Sequence, residues 1–70
     1  MMPLTVADTG KTYVIRRIGG KPEVRQYLEN LGFVVGAVVS LITAIGGNVI
    51  VKVKESRVAI SQEMAQKIMV

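Results

Sequence analysis

The side chains that could carry acid–base or metal chemistry are few and scattered along the chain. The 70 residues include five carboxylates but neither His nor Cys. A zinc, copper or non-haem iron site built from imidazole or thiolate is therefore excluded. The carboxylates are Asp8, Glu23, Glu29, Glu55 and Glu63. Because none of them forms a close pair beside a base, we predict no tight metal site and no bound cofactor. A weak carboxylate site formed across a dimer stays open as an alternative.

The hydroxyl groups and the glycine pair do not suggest catalysis either. Ser40, Ser56 and Ser61 have no His to activate them as nucleophiles. The run Gly19-Gly20-Lys21 resembles a fragment of a phosphate-binding loop, but it lacks the remaining glycine and the Lys-Ser/Thr spacing. We therefore predict no catalytic residue, and we expect a binding module rather than an enzyme.

Positive charge is concentrated in the first half of the chain, around the start of a predicted helix. The formal net charge is +4. Four cations lie within ten residues, and we call them the basic cluster: Arg16, Arg17, Lys21 and Arg25. Such a cluster can bind an anionic partner. The alternative is that these charges only keep a small, very apolar protein in solution.

Nucleic acid is one anionic partner to consider. Phosphates attract Lys and Arg whatever the base sequence. Single-strand binding surfaces also rely on stacked aromatic rings, and the chain has only two Tyr and one Phe. Tyr27 is the only ring near the basic cluster, and its helical spacing predicts that it packs in the core. A basic nucleic-acid-binding barrel is therefore an alternative, and we do not expect nucleic acid as the partner.

The stretch from Gly19 to Leu41 predicts a loop, a helix, a stop and a strand. Pro22 suits the first turn of a helix over Pro22–Leu31. Four apolar residues then recur at helical spacing on one face: Val24, Tyr27, Leu28 and Leu31. Gly32 follows where a left-handed residue ends a helix, and Phe33 can fold back onto it.

The rest of the chain predicts short strands separated by turns. The predicted strands are 11–18, 37–44, 49–54 and 57–60, with a last one at Ile68 and Val70. Alternation fails at Arg16-Arg17, which indicates a bulge or the end of the first strand. Turns are predicted at 45–48 and at Glu55-Ser56. Ser61 can cap a helical turn over 62–67.

These elements predict a mainly β fold: one domain, 1–70, with about five antiparallel strands curled into a small barrel and one main helix packed over an opening. The residues predicted to be buried are Val24, Leu28, Leu31, Val39, Leu41, Val51 and Val53. Ile50 is predicted to point outward on its strand. With the turn 45–48, it offers an apolar partner-binding site as the alternative to the basic cluster.

A membrane-spanning helix is the competing interpretation of the middle of the chain. No charged residue occurs from Asn30 to Val51. Gly32, Gly36 and the run Gly46-Gly47-Asn48 interrupt this stretch, however, and favour two strands joined by a turn. The first residues contain no apolar segment of the kind that a secretory signal has. We therefore expect a cytoplasmic protein that does not itself span the membrane.

Several motifs, in order, resemble the FeoA family, the ferrous iron transport protein A. They are Leu4, Gly10, the glycine pair before the helix, the run Tyr27-Leu28-Glu29-Asn30-Leu31-Gly32-Phe33, Gly36, Gly46-Gly47, the strand with Val49, Val51 and Val53, and the ending Val58-Ala59-Ile60, Ala65 and Ile68. Together these motifs extend over nearly the whole chain.

This resemblance implies an SH3-like barrel of five strands with helical insertions. It implies a small cytosolic accessory of FeoB, the membrane Fe(II) transporter, and transition-metal binding at the level of the family. The same fold occurs in metal-dependent repressors of the DtxR type, so a module of such a regulator is an alternative. A weak homo-oligomer is also left open.

Overall fold

Six short strands and two helices follow one another along the chain. The structure, a computed structural model, describes residues 1–70. The elements in chain order are a 3₁₀ turn (Leu4–Val6), β1 (Thr12–Val14), β2 (Arg17–Ile18), α1 (Pro22–Asn30), β3 (Val38–Ile45), β4 (Asn48–Val53), β5 (Ser56–Ser61), α2 (Gln62–Ala65) and β6 (Ile68–Met69). The predicted mainly β fold with one main helix is confirmed.

The strands form two antiparallel sheets. The larger has the order β1-β3-β4-β5, and the smaller pairs β2 with β6. An isolated bridge between Pro3 and Met69 adds the N-terminus to the smaller sheet. The predicted strand over 11–18 is therefore two strands: β1 ends at Val14, and after Arg16 the chain joins the other sheet. This division at Arg16-Arg17 produces a sixth strand.

One core of 14 buried apolar side chains lies inside these elements. Leu28, Val39, Leu41, Val51 and Val53 are buried as predicted, while Val24 and Leu31 are only half-buried at the edge of the core. The alternation in β4 is clear, since Val49, Val51 and Val53 are buried while the residues between them are not. This period of two is what a sheet with one covered face produces.

The end of α1 has the predicted left-handed glycine. The N–H of Phe33 donates to the carbonyl of Leu28 at 2.9 Å, and the N–H of Gly32 donates to that of Glu29 at 2.9 Å. Gly32 has a φ of +105°. This pair of bonds is a Schellman motif, which satisfies carbonyls that the helix leaves free. It also turns the chain so that Phe33 is fully buried.

Tyr27 is the residue of the predicted helical face that the structure places differently. Its side chain is 49% exposed, so the prediction that it packs in the core is wrong. Successive residues turn by about 100° around a helix axis, which separates Tyr27 from the fully buried Leu28 by that angle. Tyr27 thus lies at the margin of the apolar face. An exposed position also leaves its hydroxyl in water.

Two-residue turns join the strands of the larger sheet. Gly46 and Gly47 connect β3 to β4, where Ile45 pairs with Asn48. The second turn is Lys54-Glu55, one residue earlier than predicted, because Ser56 already pairs with Val53. Lys54 and Glu55 have φ values of +56° and +80°. Two-residue hairpins favour such left-handed residues, since their twist matches that of the strands.

A bulge and a capped helical turn complete the fold. The register between β3 and β4 shifts between Leu41 and Thr43, which leaves Ile42 as the extra residue. After β5, the hydroxyl of Ser61 accepts a hydrogen bond from the N–H of Met64 at 3.2 Å. The predicted N-cap of α2 is therefore present. The helix itself ends at Ala65, before Lys67.

Candidate functional site

The basic cluster lies where β2 passes into α1. Arg17 begins β2, Lys21 is the N-cap residue of α1, and Arg25 lies one turn further, with its N–H bonded to the carbonyl of Lys21 at 3.0 Å. All four cations of the cluster are exposed. None of them forms an ion pair, since the single ion pair of the structure joins Lys11 and Asp8. Their charge is therefore available to a partner.

Backbone pairing with β6 fixes the position of this cluster. The N–H of Arg16 donates to the carbonyl of Met69 at 2.8 Å, and the N–H of Gly19 donates to that of Lys67 at 2.7 Å. These bonds bring Lys67 close: its Cδ atom lies 3.6 Å from where a Cβ on Gly20 would be. Lys67 is thus a fifth cation at the start of α1. Sequence reasoning missed it, because only the pairing of the two chain ends places it there.

The start of α1 adds to the positive potential. Lys21 makes no side-chain cap hydrogen bond, so N–H groups of the first turn stay free of a capping oxygen. A helix N-terminus carries partial positive charge, and a cation beside it is unfavourable for the helix itself. Glu23 in the first turn offsets part of this charge. The surface as a whole favours an anionic group.

Ile50 lies on a different surface. It is half-buried in β4, opposite Thr43 of β3 and Ala59 of β5. It does not pack against the core, so it lies on the outer face of the larger sheet, as does Ile42. Ile45, the last residue of β3, is 62% exposed. The structure therefore divides the predicted partner-binding residues between the start of α1 and the outer sheet face.

The carboxylates and hydroxyl groups are not arranged as a metal site or as a catalytic site. No three of the carboxylates come together as a group that could hold a metal ion. The Ser61 hydroxyl is engaged in capping α2. No buried side chain is polar or charged. The two sheets and the helices enclose an apolar core, and the charged side chains lie on the surface.

Comparison with known proteins gives the family. The chain matches the family model described as the FeoA domain over residues 2–70, and it belongs to the FeoA family. A candidate Fe(2+) transport protein A of Methanocaldococcus jannaschii is 33% identical over 70 residues, which cover 100% of this chain and 85% of the relative. The resemblance stated from the sequence is confirmed.

Solved structures show the same fold. An iron uptake regulatory protein (FeoA) is 29% identical with a TM-score of 0.89, and the match covers 99% of this chain and 92% of that one. The FeoA of Stenotrophomonas maltophilia, a prokaryotic SH3 domain protein solved with zinc, is 22% identical with a TM-score of 0.85, covering 100% and 89%. The chain therefore has the SH3-like fold. Neither helix has the length and apolar character needed to cross a membrane.

The residues of this chain do not fit a resident metal of the zinc or iron type. Such ions select imidazole, thiolate or several converging carboxylates. The sequence has no His or Cys, and its carboxylates do not converge. The zinc of the S. maltophilia protein is a property of that protein. The prediction that this chain has no tight metal site stays a prediction, which a direct measurement of metal binding can test.

Proposed function

We propose that this protein is a cytosolic accessory of ferrous iron uptake that works by contacting an FeoB-type transporter and catalyses no reaction itself. Membership of the FeoA family and the similarity to an Fe(2+) transport protein A support a role in iron transport. The observation that carries the contact is the basic cluster, joined by Lys67, with no ion pair to neutralise it.

The physical basis of the proposed contact is electrostatic. An acidic face on the cytosolic part of the transporter is attracted to the basic cluster, which speeds association and selects an orientation. The β2–β6 pairing and α1 fix the backbone positions of these cations, and their exposed side chains lose rotamer freedom on binding. Ferrous iron is the cargo of the transporter in this proposal. It is not a ligand of this chain.

The experiment is a pull-down of a detergent-solubilised FeoB-type transporter with this chain, with and without guanine nucleotide. We expect Arg16→Glu/Arg17→Glu to abolish capture while circular dichroism stays unchanged. Lys11→Glu reverses an exposed charge away from α1 and serves as the control, which should retain capture. Absence of capture by the wild type in every nucleotide state would contradict the proposal.

Ile50 gives the alternative contact surface. Ile42 and Ile50 are half-buried apolar residues outside the core, and Ile45 is exposed nearby. If Ile50→Asp abolishes capture and Arg16→Glu/Arg17→Glu does not, the contact lies on the outer sheet face. The proposed contact with the transporter would then be kept, with the outer sheet face as the contact surface in place of the basic cluster.

A further inference from the structure

A row of polar side chains crosses the outer face of the larger sheet. Thr12 pairs with Ser40, Ser40 with Lys52, and Lys52 with Arg57, so one residue from each of the four strands lies in line. Thr12, Lys52 and Arg57 are exposed and Ser40 is half-buried. Neighbouring strands are about 4.8 Å apart, so this polar row spans roughly 14 Å.

The cationic end of the polar row places two like charges opposite each other on paired strands. Like charges directly opposite on paired strands destabilise a sheet, and Lys52 faces Arg57. Neither residue forms an ion pair in the structure. A local conflict that nothing in the fold compensates is typical of a functional surface. An anionic group bound there would relieve the repulsion.

A shallow groove of about 290 Å³ lies along the other end of the row, lined by Thr12, Val38, Val39, Ser40, Lys52, Lys54 and Glu55. Its apolar side continues into β1, where Val14 pairs with Val38. Val14 is 49% exposed and Val38 is 54% exposed. The sheet face therefore offers hydroxyls, a pair of apolar side chains, three cations (Lys52, Lys54 and Arg57) and one carboxylate (Glu55) within one open surface.

We propose that this face binds a short, extended, acidic segment of a partner protein, which lies across the strands. Its carboxylates would meet Lys52 and Arg57, and an apolar side chain would pack on Val14 and Val38. A single phosphate could not span a row of this length, and the face has no aromatic ring on which a base could stack. The inference does not depend on the transporter contact at the basic cluster.

The test uses a synthetic peptide of repeated Glu-Glu-Val-Val, titrated into the isotopically labelled chain and followed by nuclear magnetic resonance at physiological salt. Side chains alternate between the two sides of an extended chain, so this repeat presents both Glu and Val to the sheet face. We expect amide shifts at Thr12, Ser40 and Lys52. The matching peptide of repeated Gln-Gln-Val-Val should bind at least about threefold more weakly, as should the acidic peptide to Lys52→Gln, because each loses charge pairs at a surface site. Lys11→Gln, which removes an exposed ammonium already paired with Asp8, is the control and should bind as the wild type does.

Arg57→Glu separates a binding role from a structural one. It replaces like charges by an opposite-charge pair with Lys52, which should raise Tm by about 3 °C. The same substitution should abolish binding of the acidic peptide. If the like charges of Lys52 and Arg57 serve ligand binding, the variant should be more stable than the wild type and should no longer bind the peptide.

Three results would overturn the inference. Equal binding of the Gln-Gln-Val-Val and Glu-Glu-Val-Val peptides would show that charge has no role. Equal weakening by Lys11→Gln and Lys52→Gln would show only general attraction to a basic protein. Shifts confined to residues 16–25, or the same shifts produced by inorganic phosphate alone, would show that the sheet face is not the site of an acidic segment.

Discussion

Leu28 and Tyr27 are neighbours in α1 with opposite surroundings. Leu28 is fully buried in the core, and Tyr27 is 49% exposed. Burial of an apolar side chain stabilises the fold by removing it from water, and its truncation also leaves a cavity. The two residues therefore provide a matched pair for measuring what the helix contributes.

We expect Leu28→Ala to lower the free energy of unfolding by about 2–5 kcal/mol. Tyr27→Ala should cost less than about 1 kcal/mol, because half of the ring already lies in solvent. Urea denaturation followed by circular dichroism gives both values. Similar losses for the two variants would show that the exposed position of Tyr27 is incorrect.

For single residues, the sequence predicts burial well where the regular spacing of apolar residues is long and unbroken. The alternation of β4 identified Val51 and Val53 as buried and Ile50 as outward. The helical spacing misplaces Tyr27, because a nine-residue helix gives only about two and a half turns from which to locate the centre of its apolar face. No pattern in the sequence identifies Lys67 as a neighbour of Gly20, because its place there depends on the pairing of distant residues.

At the element scale, the end of α1 depends on one glycine. Gly32 has a φ of +105°, a conformation that side chains with a Cβ rarely adopt. A Cβ there would meet Val53 and Lys54 at ordinary contact distances of 3.6 Å, so the cost comes from the backbone and not from a clash.

We expect Gly32→Ala to lower the free energy of unfolding by about 1–3 kcal/mol. Gly19→Ala is the control, because Gly19 has no left-handed φ and a Cβ there would meet only the carbonyl oxygen of Lys67 at 3.8 Å. That variant should stay within about 0.5 kcal/mol of the wild type. Thermal unfolding of both variants checks the comparison, and an unchanged Tm for Gly32→Ala would contradict it.

Elements with local signals could be predicted, and elements made by distant pairing could not. Pro22 and Gly32 mark the ends of α1, and Gly46-Gly47 marks the first hairpin turn. The second turn at Lys54-Glu55 has no glycine or asparagine to reveal its left-handed backbone, so its prediction was one residue late. The strands β2 and β6 have two residues each, and only their contact with each other defines them.

At the scale of the whole molecule, we propose a protein that binds through its surface, and we expect it to hold no resident metal. Its core is entirely apolar, and its charges lie outside. The partner-binding part of the site could be predicted only as residue types, because the sequence does not show which surfaces the folded chain brings together. The row from Thr12 to Arg57, for example, needs the register of three strand pairs.

We expect no stoichiometric binding of Fe(II) or Zn(II) at micromolar affinity to the isolated chain. Scattered carboxylates without imidazole or thiolate cannot supply the ligand set that these ions select. Isothermal titration calorimetry under anaerobic conditions measures this directly. A micromolar site with one ion for every two chains would indicate a carboxylate site formed across a dimer.

Fe(II) uptake by living cells measures the proposed role and the proposed contact surface in one experiment. Cells that lack their own copy of this protein would be complemented with wild type, Arg16→Glu/Arg17→Glu or Lys11→Glu at equal protein levels. We predict that wild type and Lys11→Glu restore uptake of radioactive Fe(II) and that Arg16→Glu/Arg17→Glu does not. Full restoration by Arg16→Glu/Arg17→Glu would contradict the proposed role of the basic cluster, and wild-type protein that leaves uptake unchanged would contradict the proposed role in iron uptake.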